Sequence, residues 1–287
     1  MEFFIIIMFI LAFVLLLLGS YTDFKIREVP DYLSYGMIIA GIGLRALYSA
    51  MTLDYWIILE GILGLGIMLG IGCAMFYLGQ WGGGDSKVLM ALGSLIGIQL
   101  TLDQFMLSFF LNLLIIGGIF GTLWCFGLAY VHRKKFVPEF LRLKTEKNVL
   151  LWRRLALLVA AFLIIYSFFV PLLQRIAVVL LALLVLLSSY TFIFIKGIEN
   201  VCMYKKIPVS QLREGDWIAE EIILNHKKIV GPKDLGISKE QITILQNSAG
   251  QGKIKQVLIK EGMPFVPAFF ITLIVTFFTG NIFFLLL

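Results

Sequence analysis

Two short segments of the chain carry the residues best suited to chemistry. The segment 21–31 (YTDFKIREVPD) follows the first apolar stretch, and the segment 82–87 (GGGDSK) lies between the third and the fourth. We single out Asp23 and Asp85, because an ionisable group near membrane depth is costly to bury and tends to be functional. Two carboxyl groups a few ångströms apart cannot both ionise, so one keeps a proton while the other takes one from water. Such a pair predicts acid–base hydrolysis that uses neither a metal ion nor a covalent intermediate.

Three consecutive glycines precede Asp85, and we expect them to shape its loop. Glycine adopts backbone conformations that are closed to other residues, and it leaves room for a second backbone to approach. An extended substrate would therefore reach Asp85 across Gly82, Gly83 and Gly84. Lys87 would pair with Asp85, hold a carboxylate of the substrate, or extend to the membrane surface.

Asp31 has a structural alternative, because it follows Pro30 and precedes the second apolar stretch, which is the position of a helix N-cap. Asp23 directly follows an apolar helix, and its alternative is a solvated loop acid among charged neighbours. We therefore expect Asp23, rather than Asp31, to be the partner of Asp85.

The elements that position these residues are those of a membrane protein. Of the 287 residues, 60% are hydrophobic and 15% are charged, whereas soluble domains have about 45–50% and about 25%. This balance excludes an ordinary cytosolic protein, a disordered chain and a nucleic-acid-binding domain. A helix that crosses the hydrocarbon core needs about 20 apolar residues. Eight candidate spans lie at 3–19, 32–51, 55–79, 86–102, 105–131, 155–173, 175–196 and 263–287.

The predicted fold class is an α-helical polytopic membrane protein, with about eight transmembrane helices and a small α+β cytoplasmic insert. In the insert, 217–224 and 253–259 are predicted strands, and Ser238 to Gln241 forms a capping box that opens a short helix. The predicted divisions are a catalytic membrane core of five spans (1–131), a basic cytoplasmic loop along the membrane surface (132–154), a tight transmembrane helical pair (155–197), the insert (198–262) and a last transmembrane helix (263–287).

Two features of the spans concern the depth of Asp85 in the membrane and the packing of the helices. The fourth span is short, since 88–102 gives about 22 Å of helix at 1.5 Å per residue. A recessed start of this span would put Asp85 at or below the membrane surface. In the third span Gly66 and Gly70, and in the fifth span Gly117 and Gly121, have the spacing that permits two helices to approach closely.

The distribution of Lys and Arg predicts the orientation in the membrane. If the segment 20–31 is cytoplasmic, all but two of the 24 Lys and Arg residues fall on that side. The exceptions are Arg45, which we expect to extend from the outer end of the second span, and Arg175 in a short outer link. Asp23 and Asp85 then emerge on the same, cytoplasmic, face, and both termini lie outside.

The two acidic segments resemble those of the type IV prepilin peptidase family. GGGDSK matches the Gly-x-Gly-Asp motif of polytopic aspartyl peptidases, with the Lys that follows it in prepilin peptidases. DFKIREVPD resembles the segment that carries their first catalytic aspartate, particularly in archaeal preflagellin and prepilin peptidases. The match covers 23–31 and 80–98, and topology extends it over 1–131. The resemblance implies that Asp23 and Asp85 are the catalytic pair, that Gly82 and Gly84 shape the loop, and that Asp31 is not catalytic.

The family resemblance also implies an activity. Its members remove short, positively charged leader peptides from type IV pilin-like precursors at the cytoplasmic membrane face, just before the hydrophobic segment of the substrate. The implied partners are leader peptides of pilin, flagellin or other secreted precursors and the lipid bilayer, but no nucleic acid. Bacterial members carry paired Cys-x-x-Cys motifs and also N-methylate the product. The three cysteines here are scattered, so we expect an aspartic endopeptidase without methyltransferase activity and without a cofactor.

Three alternatives remain open at this stage. A transporter or channel would use Asp23 and Asp85 as ion or proton ligands, although no internal repeat or pair of broken helices is evident. A membrane scaffold would present the insert to an assembly machine, but would leave the GGGD motif unexplained. General intramembrane proteolysis, as in presenilins, would share the pair; here Pro267 and Ala268 are followed by Phe269 rather than Leu, which favours the prepilin peptidase branch.

Overall fold

The computed structural model describes residues 2–98, 105–224, 227–252 and 254–282. These residues form ten α-helices and five β-strands. The helices are α1 (Glu2–Ile26), α2 (Asp31–Thr52), α3 (Trp56–Tyr77), α4 (Gly83–Ile96), α5 (Phe105–Val131), α6 (Arg133–Thr145), α7 (Lys147–Ser167), α8 (Leu172–Ile198), α9 (Lys239–Gly250) and α10 (Val266–Thr279). The strands are β1 (Tyr204–Pro208), β2 (Trp217–Ile218), β3 (Ile222–Leu224), β4 (Lys227–Val230) and β5 (Gln256–Lys260).

Six helices of the described residues are long and apolar enough to cross a membrane: α1, α2, α3, α5, α7 and α8. The predicted count of eight spans is therefore not confirmed. The fourth and eighth predicted spans form α4 and α10, which have only 14 residues each. The ends of those two predictions, 99–102 and 283–287, lie outside the described residues.

Helix α4 is short because a buried arginine satisfies its end. Arg45 of α2 donates from Nε to the Ser94 carbonyl (3.1 Å), and from Nη2 to the carbonyls of Leu95 (3.0 Å) and Ile96 (2.6 Å). The last carbonyls of a helix have no partner within the helix, and in an apolar surrounding an unpaired carbonyl is costly. Arg45 is 4% exposed, so our expectation that it extends to the outer membrane surface is wrong.

Helix α10 ends in a similar way, at a polar side chain of a neighbouring helix. Asn112 of α5 donates from Nδ2 to the Thr276 hydroxyl (2.9 Å) and to the Gly280 carbonyl (2.7 Å). Its Oδ1 accepts from the amide of Ile282 at 2.9 Å. Asn112 is fully buried, and the chain is thereby held where α10 stops.

Glycines let α3 and α4 approach closely, but not the glycines we predicted. A Cβ at Gly64 would lie 2.1 Å from the carbonyl oxygen of Gly93, and one at Gly93 would lie 2.4 Å from that of Gly64. Gly66 and Gly70 have no such neighbours within 4 Å. The predicted close approach at Gly66 and Gly70 is wrong, because both residues are exposed. At the other predicted pair, a Cβ at Gly117 would lie 2.8 Å from the Phe265 ring and one at Gly121 would lie 3.6 Å from Sδ of Met263, so these two glycines pack against side chains.

The basic segment 132–154 is helical where we predicted a loop. It contains α6 and the first residues of α7, which begins at Lys147 rather than at 155. Phe136 and Leu143 of α6 are buried, and both lie beside Gly197 near the end of α8. This apolar face fixes α6 against α8, and α7 and α8 form a hairpin joined by 168–171.

The predicted α+β insert forms a compact unit between α8 and α10, here taken as residues 204–260. Its three-stranded antiparallel sheet has the order β1-β5-β2, and β3 and β4 form a separate hairpin. Ser238 and Gln241 make the predicted capping box at the start of α9. Asn225, His226 and Lys253 lie outside the described residues. Of the predicted strand over 253–259, residues 256–259 belong to β5, whereas 254 and 255 are not in a strand.

Candidate active site

Asp23 lies on the last full turn of α1, where the helix reaches one end of the bundle. It is 7% exposed, and its Oδ2 accepts a hydrogen bond from the backbone amide of Val266 at 3.0 Å. The side chain is therefore oriented by the start of α10, which comes 243 residues later in the chain.

Asp85 lies in the first turn of α4, and its Oδ2 accepts from the amide of Gly82 at 3.1 Å. The expected backbone freedom of the three glycines is not used, because none of them has a positive φ. Their lack of a side chain matters instead. A Cβ at Gly84 would lie 3.5 Å from the amide nitrogen of Val29, so the start of α4 packs directly against the segment that follows α1.

The structure brings Asp23 and Asp85 to one cavity of about 1890 Å³, and we call these two residues the dyad. Their carboxyl groups are close enough for their charges to interact. Gly82, Gly83, Gly84 and Lys87, the other residues singled out from the sequence, line the same cavity. Each carboxyl group of the dyad is held by backbone amides, and both remain open to the cavity.

Lys87 pairs with Asp31 rather than with Asp85. Asp31 is the first residue of α2 and Pro30 holds the N-cap position, so Asp31 is not the N-cap that its place in the sequence suggested. Ser86 donates to the carbonyl of Gly72 at 2.9 Å, which attaches the first turn of α4 to α3. The buried Ser86 contact therefore fixes the start of α4 against α3, whereas the Lys87–Asp31 pair is exposed at the surface.

Sequence reasoning missed the residues that close the cavity from the C-terminal half of the chain. Phe265 packs near Trp81, with ring centroids 6.0 Å apart, and both line the cavity. The signal in the sequence was a short apolar stretch that begins between two prolines, Pro264 and Pro267. Proline favours the first turn of a helix, but nothing in that pattern says which residue the helix start will meet.

The insert forms the opposite wall of the cavity. Arg213, Glu214, Asp216, Trp217 and Lys260 line it. Burial raises the pKa of Asp216, and the charges of neighbouring acids add to the rise, while the amide and guanidinium of Arg213 oppose it. Asp216 is therefore a half-buried member of this wall.

The described residues contain no group of three or more His, Cys, Asp or Glu side chains placed to hold a metal ion. Asp23 and Asp85 bring two interacting carboxyl groups to the cavity. One of them can hold a proton while the other accepts one.

Comparison with known proteins places this site in a family context. Residues 9–124 match the type IV leader peptidase family. This confirms the resemblance drawn from the two acidic segments, and the matched range contains both residues of the dyad. The chain is also similar to the preflagellin peptidases of Methanocaldococcus jannaschii (38% identity over 88 residues) and Methanococcus maripaludis (42% over 82 residues).

The two preflagellin peptidases are matched over only part of their length. The aligned stretches cover 31% and 28% of this chain, and 37% and 35% of those proteins, so the chain spans about a third of their length. A prepilin peptidase, EppA of Methanothermobacter thermautotrophicus, aligns over 92% of both chains at 21% identity.

Proposed function

We propose that the chain is a membrane aspartyl endopeptidase that removes leader peptides from type IV pilin-like or flagellin precursors. The observation that carries this proposal is the dyad itself. Asp23 and Asp85 are far apart in sequence, yet both line one cavity and their charges interact. The similarity to leader peptidases over 9–124 supports the substrate class.

The proposed reaction uses the dyad to activate water. The ionised carboxylate takes a proton from a water molecule, which attacks the scissile carbonyl carbon, while the protonated carboxyl group donates to the carbonyl oxygen. The carbon–nitrogen bond then breaks, and the leaving amine takes up a proton. Amides of Val266 and Gly82 hold the carboxyl groups in place, so neither depends on a mobile side chain for its orientation.

The cavity favours a polymeric substrate over a small one. Its volume of about 1890 Å³ exceeds the range of about 300–1,000 Å³ that is typical of small-molecule pockets. It lies where α1 ends and α4 begins, at the end of the bundle that carries the insert. We place this end at the cytoplasmic face, because the Lys and Arg distribution favours that orientation, and we propose hydrolysis without N-methylation.

The test is co-expression in membranes with a preflagellin or prepilin precursor, followed by a mobility shift and the mass of the mature N-terminus. We expect wild type to cleave, and Asp23→Asn and Asp85→Asn each to lower the rate by about 10²–10⁴-fold. Asp31→Asn is the matched control, because Asp31 lines the same cavity but pairs with Lys87; its rate should stay close to that of wild type.

Two outcomes would overturn the proposal. Cleavage by Asp85→Asn at the wild-type rate would exclude the two-aspartate mechanism. If the membrane-inserted wild-type protein cleaves none of several precursors, the leader peptidase activity is excluded. The transporter alternative would then be tested by measuring ion flux.

A further inference from the structure

The insert contacts both segments that carry the dyad. One contact comes from Arg213, whose Nη1 donates to the carbonyl of Ile26 at 2.7 Å. Ile26 is the last residue of α1, three residues after Asp23. A cation at this position also interacts favourably with the negative end of the helix dipole, so Arg213 closes the end of the helix that bears Asp23.

Arg213 is presented by a rigid turn of the insert. Its own amide donates to Oδ2 of Asp216 at 2.8 Å. The amide of Gly215 donates to the carbonyl of Ile237 (2.8 Å), and the amide of Ile237 donates to the carbonyl of Asp216 (2.9 Å). Ile237 is 1% exposed, in the core of the insert. The position of Arg213 is therefore set by the insert as a whole.

The second contact is made by Trp217 with the segment that leads to Asp85. A Cβ at Gly79 would lie 3.2 Å from Cη2 of the Trp217 ring, so the indole packs against this glycine. Gly79 has φ +67° and occupies the turn between α3 and α4. The ring thereby limits the movement of the backbone that enters the Gly82–Asp85 turn.

The same sheet also leads to the amide that holds Asp23. Trp217 of β2 pairs with Lys260, the last residue of β5, and six residues later the chain reaches Val266, whose amide donates to Asp23. The connection is anchored at its start, where the amide of Glu261 donates to the carbonyl of Met203 at 2.8 Å. Asp23 is thus held from two sides by elements that the insert controls.

We infer that the insert is a positioning element for the dyad, and that Arg213 and Trp217 are the residues through which it sets the relative placement of Asp23 and Asp85. Neither residue is catalytic, because each acts on the backbone of a segment that carries an aspartate. The inference rests on the proposed function for its consequence in catalysis. Its structural part, the attachment of residues 24–30 and 79–84 to the insert, is independent of the activity.

The experiment uses the full chain in detergent or nanodiscs and four variants. Arg213→Met removes the donors, Arg213→Lys keeps one cationic donor, and Trp217→Leu removes the indole. Lys227→Met is the matched control, since Lys227 is an exposed cation on β4 of the same insert. Hydrogen–deuterium exchange is followed for peptides that cover 24–30 and 79–84, and kcat and KM are measured with a precursor substrate.

We expect Arg213→Met to speed exchange in 24–30 and Trp217→Leu to speed it in 79–84, while Lys227→Met changes neither. Because a misplacement of about 1 Å costs up to about 10²-fold in rate, kcat should fall about 10–100-fold for Arg213→Met. KM should stay within about twofold, as expected when only transition-state interactions are lost. Arg213→Lys should recover most of kcat.

The outcomes separate this inference from the proposed function. If wild type cleaves but exchange and kcat are unchanged in Arg213→Met and Trp217→Leu, the positioning role is overturned. A rise in KM at constant kcat would also overturn it, because the insert would then bind substrate. If wild type does not cleave but exchange rises as expected, the proposed function fails and the attachment of the two segments to the insert stands.

Discussion

Helices α4 and α10 differ from the α7–α8 hairpin in burial and in the way their ends are satisfied. Nearly every side chain of α4 from Val88 to Leu95 is buried, as is most of the first half of α10. In contrast, α7 and α8 have only three and four buried residues. The short helices end at Arg45 and Asn112, which belong to neighbouring helices.

The difference shows how the dyad is placed. Asp85 lies on α4, and Asp23 is held by the first amide of α10, so both contacts depend on helices that are enclosed by longer ones. A helix that is buried on all sides needs polar neighbours to pair its ends. The hairpin α7–α8 needs only a sufficiently long apolar surface, and we therefore expect it to tolerate changes that the short helices do not.

Replacement of Arg45 and of Arg175 should give the largest difference between these regions. Arg45→Met leaves the end of α4 and Glu60 without their partner, and it should lower the free energy of unfolding by about 3–5 kcal/mol. Arg175→Met is the control in the hairpin, because Arg175 also donates to a helix-end carbonyl, that of Ser167 at 3.0 Å. Its loss should cost about 1 kcal/mol, as measured by thermal or denaturant unfolding in detergent. Equal losses would contradict the distinction.

Two glycines of α3 should give a smaller effect that sharpens the comparison within one helix. Gly64→Ala puts a Cβ 2.1 Å from the carbonyl oxygen of Gly93, so α3 and α4 must separate, at a cost of about 1–3 kcal/mol. Gly66→Ala meets no neighbour within 4 Å and should be neutral or stabilising by up to about 1 kcal/mol, because alanine favours a helix. The same unfolding assay decides, and a destabilised Gly66→Ala with an unaffected Gly64→Ala would refute the close α3–α4 contact.

Hydropathy and charge were sufficient to predict the long helices and the insert. The stretches at 3–19, 32–51 and 105–131 all lie within helices of the structure, because apolar length alone decides whether a helix can cross a bilayer. The capping box at Ser238 was predictable because its donors and acceptors lie within four residues. The placement of Asp23 and Asp85 at the same end of the bundle was also predictable. Two predicted spans lie between their segments, so the chain returns to the face from which it started.

What sequence reasoning missed depends on contacts between distant residues. The end of α4 is set by Arg45, which is 51 residues earlier, so apolar length overestimates the helix. Gly64 is not in a GxxxG pattern, and Gly93 forms one only with Gly97 of its own segment, so only the fold shows that Gly64 and Gly93 face each other. The hydrogen bond from Val266 to Asp23 joins residues 243 positions apart, and the contact of Arg213 with Ile26 joins residues 187 positions apart, which no local pattern can indicate.

The most direct test of the central claim is a double-mutant cycle on the dyad. It compares kcat/KM for wild type, Asp23→Asn, Asp85→Asn and the double variant, at enzyme concentrations that make the residual rates measurable. If Asp23 and Asp85 act as one unit on one water molecule, each single variant loses about 10²–10⁴-fold and the double variant loses no more than the worse single variant. Losses that multiply in the double variant would show that the two aspartates act independently, and would contradict the account.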